Sequence, residues 1–256
     1  MNFDYKFQNS VCYINLTDEA GTNTIDEPFC ESLREFVEST QWNPTILVWV
    51  FTSGTNQVFS TGRQLLPANP NNSLASMHSA IHALQISQMV SNIPVPVIMG
   101  IDGRVSDHGL ELALSGDIRL VSDISTFSLN ATEYNFPWDN GIPMLVNAVG
   151  RTTANDMLYT NRVLEAVDSL EVGLATRIVS HEDFESELDQ MVTKLALSSP
   201  ASLKYVKEAV KSGLSLHLHQ ALAMEGDLSV LLQSTADRAE GLKAFFEKRT
   251  PKFTGD

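Results

Sequence analysis

The sequence predicts an α/β protein with a mainly helical C-terminal segment. Short β-rich apolar runs recur through the first two thirds of the chain. Stretches with apolar residues every three or four positions lie between them. The last third, after one more β-rich run at residues 177–180 (RIVS), holds helical patterns. Strands alternating with helices build a sheet with helices packed on its faces.

Residues 11–16 (VCYINL) read as the first strand, and DEAGTN after them as a turn. From Asp26 the pattern is helical, with Phe29, Leu33, Phe36 and Val37 on one face, until Asn43-Pro44 breaks it. Residues 46–51 (ILVWVF) are continuously apolar, as in a strand buried on both faces. Residues 58–60 form a short second strand, closed by Gly62. After the loop PANPNN, the residues Leu74, Met77, Ile81, Leu84 and Gln88 mark an amphipathic helix that Pro94 and Pro96 end. Residues 95–100 (VPVIMG) form another buried strand, 109–115 a helix and 118–121 a further strand. Helical patterns then cover 188–197, 201–211 and 216–246, divided by Pro200 and Gly213.

The 256 residues fit one large domain, or a domain with a small appendage, and 43% hydrophobic content supplies a sizeable core. Seventeen Lys and Arg against 31 Asp and Glu give a net charge of −14, which repels phosphate backbones and argues against broad nucleic-acid binding. No apolar run reaches the roughly 18 residues a membrane span needs. The start, MNFDYKFQNS, lacks the apolar stretch of a secretory signal, so a cytoplasmic location is expected. Cys12 and Cys30 lie in apolar stretches and read as reduced, buried thiols. His78 and His82 are one helical turn apart, but no Glu-containing zinc motif accompanies them. They read as a helix face, and no metal is expected.

Two glycine-containing turns follow buried strands: Ser60-Thr61-Gly62-Arg63-Gln64-Leu65, and Gly103-Arg104-Val105-Ser106-Asp107-His108-Gly109. Turns of this kind leave backbone amides that can bind an oxyanion where two of them converge. Beyond the second turn come Glu111-Leu112-Ala113-Leu114, then Asp117-Ile118-Arg119, then Ser125-Thr126-Phe127. In this order the chain resembles the crotonase superfamily, the enoyl-CoA hydratase/isomerase family. Asn23-Thr24-Ile25-Asp26, Ile93-Pro94-Val95-Pro96, Ala148-Val149-Gly150-Arg151 and the ending Asp237-Arg238-x-Glu240-Gly241 through Phe253 extend the resemblance over nearly the whole chain.

The resemblance implies a crotonase-like ββα spiral core over 1–190 and a helical oligomerisation segment over 191–256. It implies an acyl-CoA thioester as substrate, with no resident cofactor, and a homotrimer or dimer of trimers. The backbone N–H groups of Arg63 and His108 would form the oxyanion hole, and Glu111 would be the acid/base. Ser60, Gly62, Gln64, Leu65, Gly109 and Lys248 would line the substrate site, with Lys248 in the basic tract nearest the end of the chain. The sequence departs from the family at three places. Asp107 and His108 stand where two glycines are usual, either narrowing the pocket or giving it a titrating group. Ala131 stands where hydratases carry a second glutamate, with Glu133 two residues away. Asp139 lies in Pro137-Trp138-Asp139-Asn140-Gly141, a loop where some branches place a catalytic aspartate. Hydration and double-bond isomerisation both stay open. So do CoA-independent hydrolysis of a β-diketone C–C bond and a catalytically degenerate member.

Overall fold

The computed structural model describes residues 2–54, 57–63, 85–129 and 141–255. Its frame is a six-stranded sheet ordered β1 (Asn2–Gln8), β2 (Val11–Thr17), β4 (Val48–Ser53), β7 (Val97–Ile101), β9 (Ile118–Ser122), β12 (Arg177–Val179). Only the β1–β2 pair within it is antiparallel. A smaller sheet runs β11 (Leu164–Glu165), β10 (Thr126–Ser128), β8 (Arg104–Ser106), β5 (Val58–Ser60). A two-stranded parallel ladder joins β3 (Thr24–Ile25) to β6 (Gly62–Arg63). Strands β4, β7 and β9 of the large sheet each lead into a strand of the small one, β5, β8 and β10 in turn. The chain therefore winds as a spiral, and the corners between the two sheets stack on each other.

Burial explains the strand sequences. In β4, Val48 and Val50 point into one apolar layer, with Ile98, Leu120 and Leu188. Trp49 and Phe51 point into the other, with Leu33, Val97 and Met99. Alternate side chains leave opposite faces of a strand, so a run apolar at every position is what a sheet covered on both faces requires. Each such side chain contributes about 1.5–3 kcal/mol on burial. Helix α1 (Glu27–Thr40) covers one face; the Asp26 carboxylate accepts from Phe29 N at 2.9 Å and caps it.

Strand β1 was not expected. Phe3, Tyr5 and Phe7 alternate with polar residues and stack around Phe36 of α1. Asn9 and Ser10, both at positive φ (51° and 63°), make the two-residue hairpin into β2. The expected amphipathic helix from Leu74 lies mostly outside the described residues; α2 (Ile86–Ser91) is the part described. The helix predicted over 109–115 begins one residue earlier, as α3 (His108–Leu114). Beyond it come α4 (Gly141–Thr160), broken at Gly150 where φ is 74° and ψ 160°, and α5 (Ala166–Glu171). Cys12 and Cys30 are buried and unbridged, and burial pushes the Cys12 thiol up to about 12.

The C-terminal helices are α6 (Phe184–Ala196), α7 (Pro200–Gly213), α8 (Leu218–Gln233) and α9 (Ala236–Glu247). Helix α6 crosses residue 190 and packs on the sheet through Phe184, Leu188 and Val192. Lys207 of α7 reaches Asp117 at 2.6 Å and Val95 O at 2.9 Å, while the same carboxylate accepts from Val97 N at 2.7 Å. Arg119 donates to Gly116 O and Leu174 O. The Asp-Ile-Arg motif is thus a structural clasp at the start of β9. No helix among the described residues is long and apolar enough to cross a membrane.

Asp237 ties the end of the chain to the start of α7. Its carboxylate accepts from Thr254 N, Gly255 N, Ser199 Oγ and Ala201 N at 2.8–3.5 Å. Burial alone would raise this carboxyl, but those donors together outweigh it and hold it below the usual range. A carboxyl depressed in the folded state binds fewer protons there than in the unfolded chain. The stability it adds is present above the unfolded value near about 3.9 and fades as pH falls through the folded value. Asp237→Asn should cost about 1–3 kcal/mol near neutral pH. It should also flatten the fall in melting temperature below about pH 4, as read by thermal melts across an acid series.

Candidate active site

The site is assembled from the first glycine turn, the second glycine turn and the start of α4. Gly62 is at positive φ, 85°. A β-carbon there would lie 2.8 Å from Ser106 O and 2.9 Å from His108 N, so only glycine lets the two turns lie against each other. The next amide nitrogen lies within about 4 Å of that β-carbon place, which puts the Arg63 and His108 nitrogens no more than about 7 Å apart. On the other side, Gly109 rests on Ser60, with its own β-carbon place 2.6 Å from Ser60 O. Two amides brought this close from separate turns can converge on one developing oxyanion.

A buried polar lattice fixes the first turn. The Ser60 hydroxyl donates to Asn23 O at 2.6 Å and accepts from Gly62 N at 3.1 Å. Asn23 Nδ2 donates to Val58 O and Phe59 O, both at 3.1 Å. The Ser106 hydroxyl donates to Thr61 O at 3.0 Å and ties the second turn to the first. Ser60 therefore supports the turn from within. Asp107, which precedes α3, has φ 51° and ψ −122°. That is a glycine conformation, reached here by an aspartate at a cost of about 1–3 kcal/mol. Leu110 and Glu111 return their amides to Asp107 O, and the His108 amide lies ahead of that first helical turn.

Every residue of α3 is buried, Glu111 and His108 included. A carboxylate taken out of water needs partners. His108 Nδ1 lies 2.6 Å from Glu111 Oε2, and Gly141 N donates to Glu111 Oε1 at 3.2 Å. The His108 contact follows from position: residues three apart share a helix face. The Gly141 contact follows from space: a β-carbon there would collide with Glu111 Cγ and lie 2.5 Å from Oε1. The arrangement can hold negative charge on an oxygen at the turns while a nearby carboxylate gives or takes a proton.

The structure thus brings Ser60, Gly62, the Arg63 backbone, His108, Gly109 and Glu111 together. Sequence reasoning missed the His108–Glu111 contact and the Gly141 amide. Gln64, Leu65, Ala131, Glu133, Asp139, His78 and His82 lie outside the described residues. Lys248 is the left-handed cap residue of α9. Its neighbour Arg249 is engaged by Glu240 at 2.6 and 2.9 Å and by Glu247 at 2.6 Å, so the basic tract offers less open charge than its sequence suggests. Among the described residues no group of three His, Cys, Asp or Glu could hold a metal ion.

Gly141→Ala should displace the Glu111 carboxylate, and a misplacement of about 1 Å can cost about 10²-fold in rate. The expected result is a fall of that size in kcat, checked by steady-state kinetics, with thermal melts reading the roughly 1–3 kcal/mol that the added methyl costs in a buried site.

Comparison with known proteins bears on which chemistry this geometry serves. The chain is 27% identical over 256 residues to a trans-2-decenoyl-[acyl-carrier-protein] isomerase of Streptococcus mutans, covering 98% of this chain and 97% of that protein. It is 27% identical over 249 residues to a 2,3-dehydroadipyl-CoA hydratase of Escherichia coli, covering 97% and 96% respectively. The crystal structure of an enoyl-CoA hydratase from Bacillus anthracis superposes with a TM-score of 0.93 at 27% identity, over 100% of both chains. The family model described as enoyl-CoA hydratase/isomerase matches residues 6–256. With that match and a crotonase fold, the chain belongs to the enoyl-CoA hydratase/isomerase family.

Proposed function

We propose that the protein is an acyl-CoA isomerase of this family, working through an enolate with Glu111 as its base. The observation that carries this is the buried Glu111 carboxylate, held by His108 and Gly141 beside the meeting point of the two turns. Glu111 removes a proton from the carbon next to the thioester carbonyl. The electron pair moves onto the carbonyl oxygen, where the amides of Arg63 and His108 hold it. Returning the same proton two carbons further along moves the double bond, and one carboxylate suffices.

Hydration is the second reading, since the Escherichia coli relative is named a hydratase. It calls for a group to activate water and another to deliver a proton. Ala131 stands where the second glutamate is expected, so Glu133 or Asp139 would have to serve. The relatives do not favour hydrolysis of a β-diketone. Gly62, Gln64, Leu65 and Gly109 are proposed around the acyl thioester and Lys248 near the CoA phosphates. A cytoplasmic role in fatty acid metabolism goes with this reading.

A trimer or dimer of trimers is proposed as the working form. Leu218 of α8 and Phe245 and Phe246 of α9 are 75–79% exposed, and α8 buries no residue within the chain. Apolar faces of this kind on a lone chain mark interaction surfaces. Light scattering should give three or six chains per particle, and Phe245→Ser with Phe246→Ser should shift the population toward single chains.

The chemistry is tested by incubating the protein with 3-enoyl- and 2-enoyl-CoAs and following double-bond position and water addition. Interconversion of the two without hydroxyacyl product is expected, and Glu111→Gln should lower kcat by about 10²–10⁴. Full activity in that variant would remove Glu111 from the mechanism.

A further inference from the structure

The oxyanion reading uses only the backbone of His108, yet its side chain also meets the proposed base. His108 is 7% exposed and Glu111 4%, and Nδ1 meets Oε2 at 2.6 Å. We propose that His108 is a positioning residue for proton transfer: its imidazole fixes the Glu111 carboxylate at the meeting point of the two turns. This rests on Glu111 being the base.

The argument starts from what a carboxylate on a buried helix can do. A glutamate side chain has three rotatable bonds, so one fixed oxygen leaves the other free to swing. Here both oxygens are held, Oε2 by the imidazole and Oε1 by the Gly141 amide. With Nδ1 carrying its proton, the ring donates to the carboxylate oxygen. His108 and Glu111 are three residues apart on α3, so the helix itself sets their spacing. The amide that would stabilise the enolate and the ring that aims the base then belong to one residue, and a shift of α3 moves both together.

Asparagine can place its Nδ2 donor near where the imidazole holds Nδ1. Leucine fills the space with no donor, and glycine keeps the amide and nothing else. With trans-3-hexenoyl-CoA as probe, His108→Leu and His108→Gly should each lower kcat by about 10–10²-fold with KM within about threefold. His108→Asn should recover most of the loss. In a Glu111→Gln background the leucine change should add nothing, because its effect passes through the base. Thermal melts on every variant separate these results from unfolding, and the glycine variant serves if leucine prevents folding. Wild-type turnover in the leucine or glycine variant would overturn the proposal, as would an asparagine variant as slow as leucine. Full turnover in Glu111→Gln alone would overturn the base assignment instead. Nitrogen NMR of the His108 ring gives a readout without substrate: a protonated Nδ1 is expected in the wild type, with its signal shifted in Glu111→Leu. An unchanged Nδ1 signal would count against the pairing.

Discussion

The chemistry of this molecule depends on how near two stretches of backbone can come. The turn at Gly62 lies so close to Ser106 and His108 that no side-chain carbon fits between them. Such contact needs the amides and carbonyls on both sides to be satisfied without water, because buried backbone groups are costly to leave unmade. Ser60 and Asn23 meet that demand within the first turn, and Ser106 meets it across the gap by donating to Thr61 O. The corners of the spiral hold the turns from below. Ser125 donates to Ile101 O and accepts from Gly103 N, joining the β7–β8 corner to the β9–β10 corner. Position at the site is therefore inherited from the winding of the whole core.

The fold was legible where both faces of a strand are covered. Residues 46–51 and 95–100 could be read because such strands are apolar at nearly every position. Strand β1 was harder: its aromatics alternate with polar residues and pack on Phe36, a partner far away in sequence. Strands of two or three residues, such as β6 and β11, carry too little pattern to stand out. Glu111 and the two turns could be placed by resemblance to a known motif. The pairing of His108 with Glu111 could not, because the helix was expected to start at Gly109. Starting it one residue earlier puts the imidazole on the helix and on the face of the glutamate. The Asp117–Arg119 motif was legible as a family marker, but its work as a clasp needed Lys207 and Leu174, both distant in sequence.

The C-terminal helices divide two demands between them. Inward, α7 is pinned by Lys207 on Asp117 and by Asp237 beneath its first turn. Burial pulls the Lys207 ammonium below its usual range, against the opposing pull of Asp117, so this clasp is bought with desolvation and repaid only while its partner is charged. Outward, α8 and α9 present large apolar side chains. The segment is thus anchored at α7 and apolar on its outer helices.

Asp107 shows how a motif can outlive its letters. Its backbone keeps the conformation that glycine adopts most readily, with φ 51° and ψ −122°, and so it aims the following amide as a glycine would. A penalty of about 1–3 kcal/mol is small enough for a domain stable by about 5–15 kcal/mol to carry. A glycine loop can therefore hold its turn with a side chain in place, at the expense of that strain. The carbonyl that opens α3 and the amide that faces the first turn are thus set by one torsion, whichever side chain hangs from it.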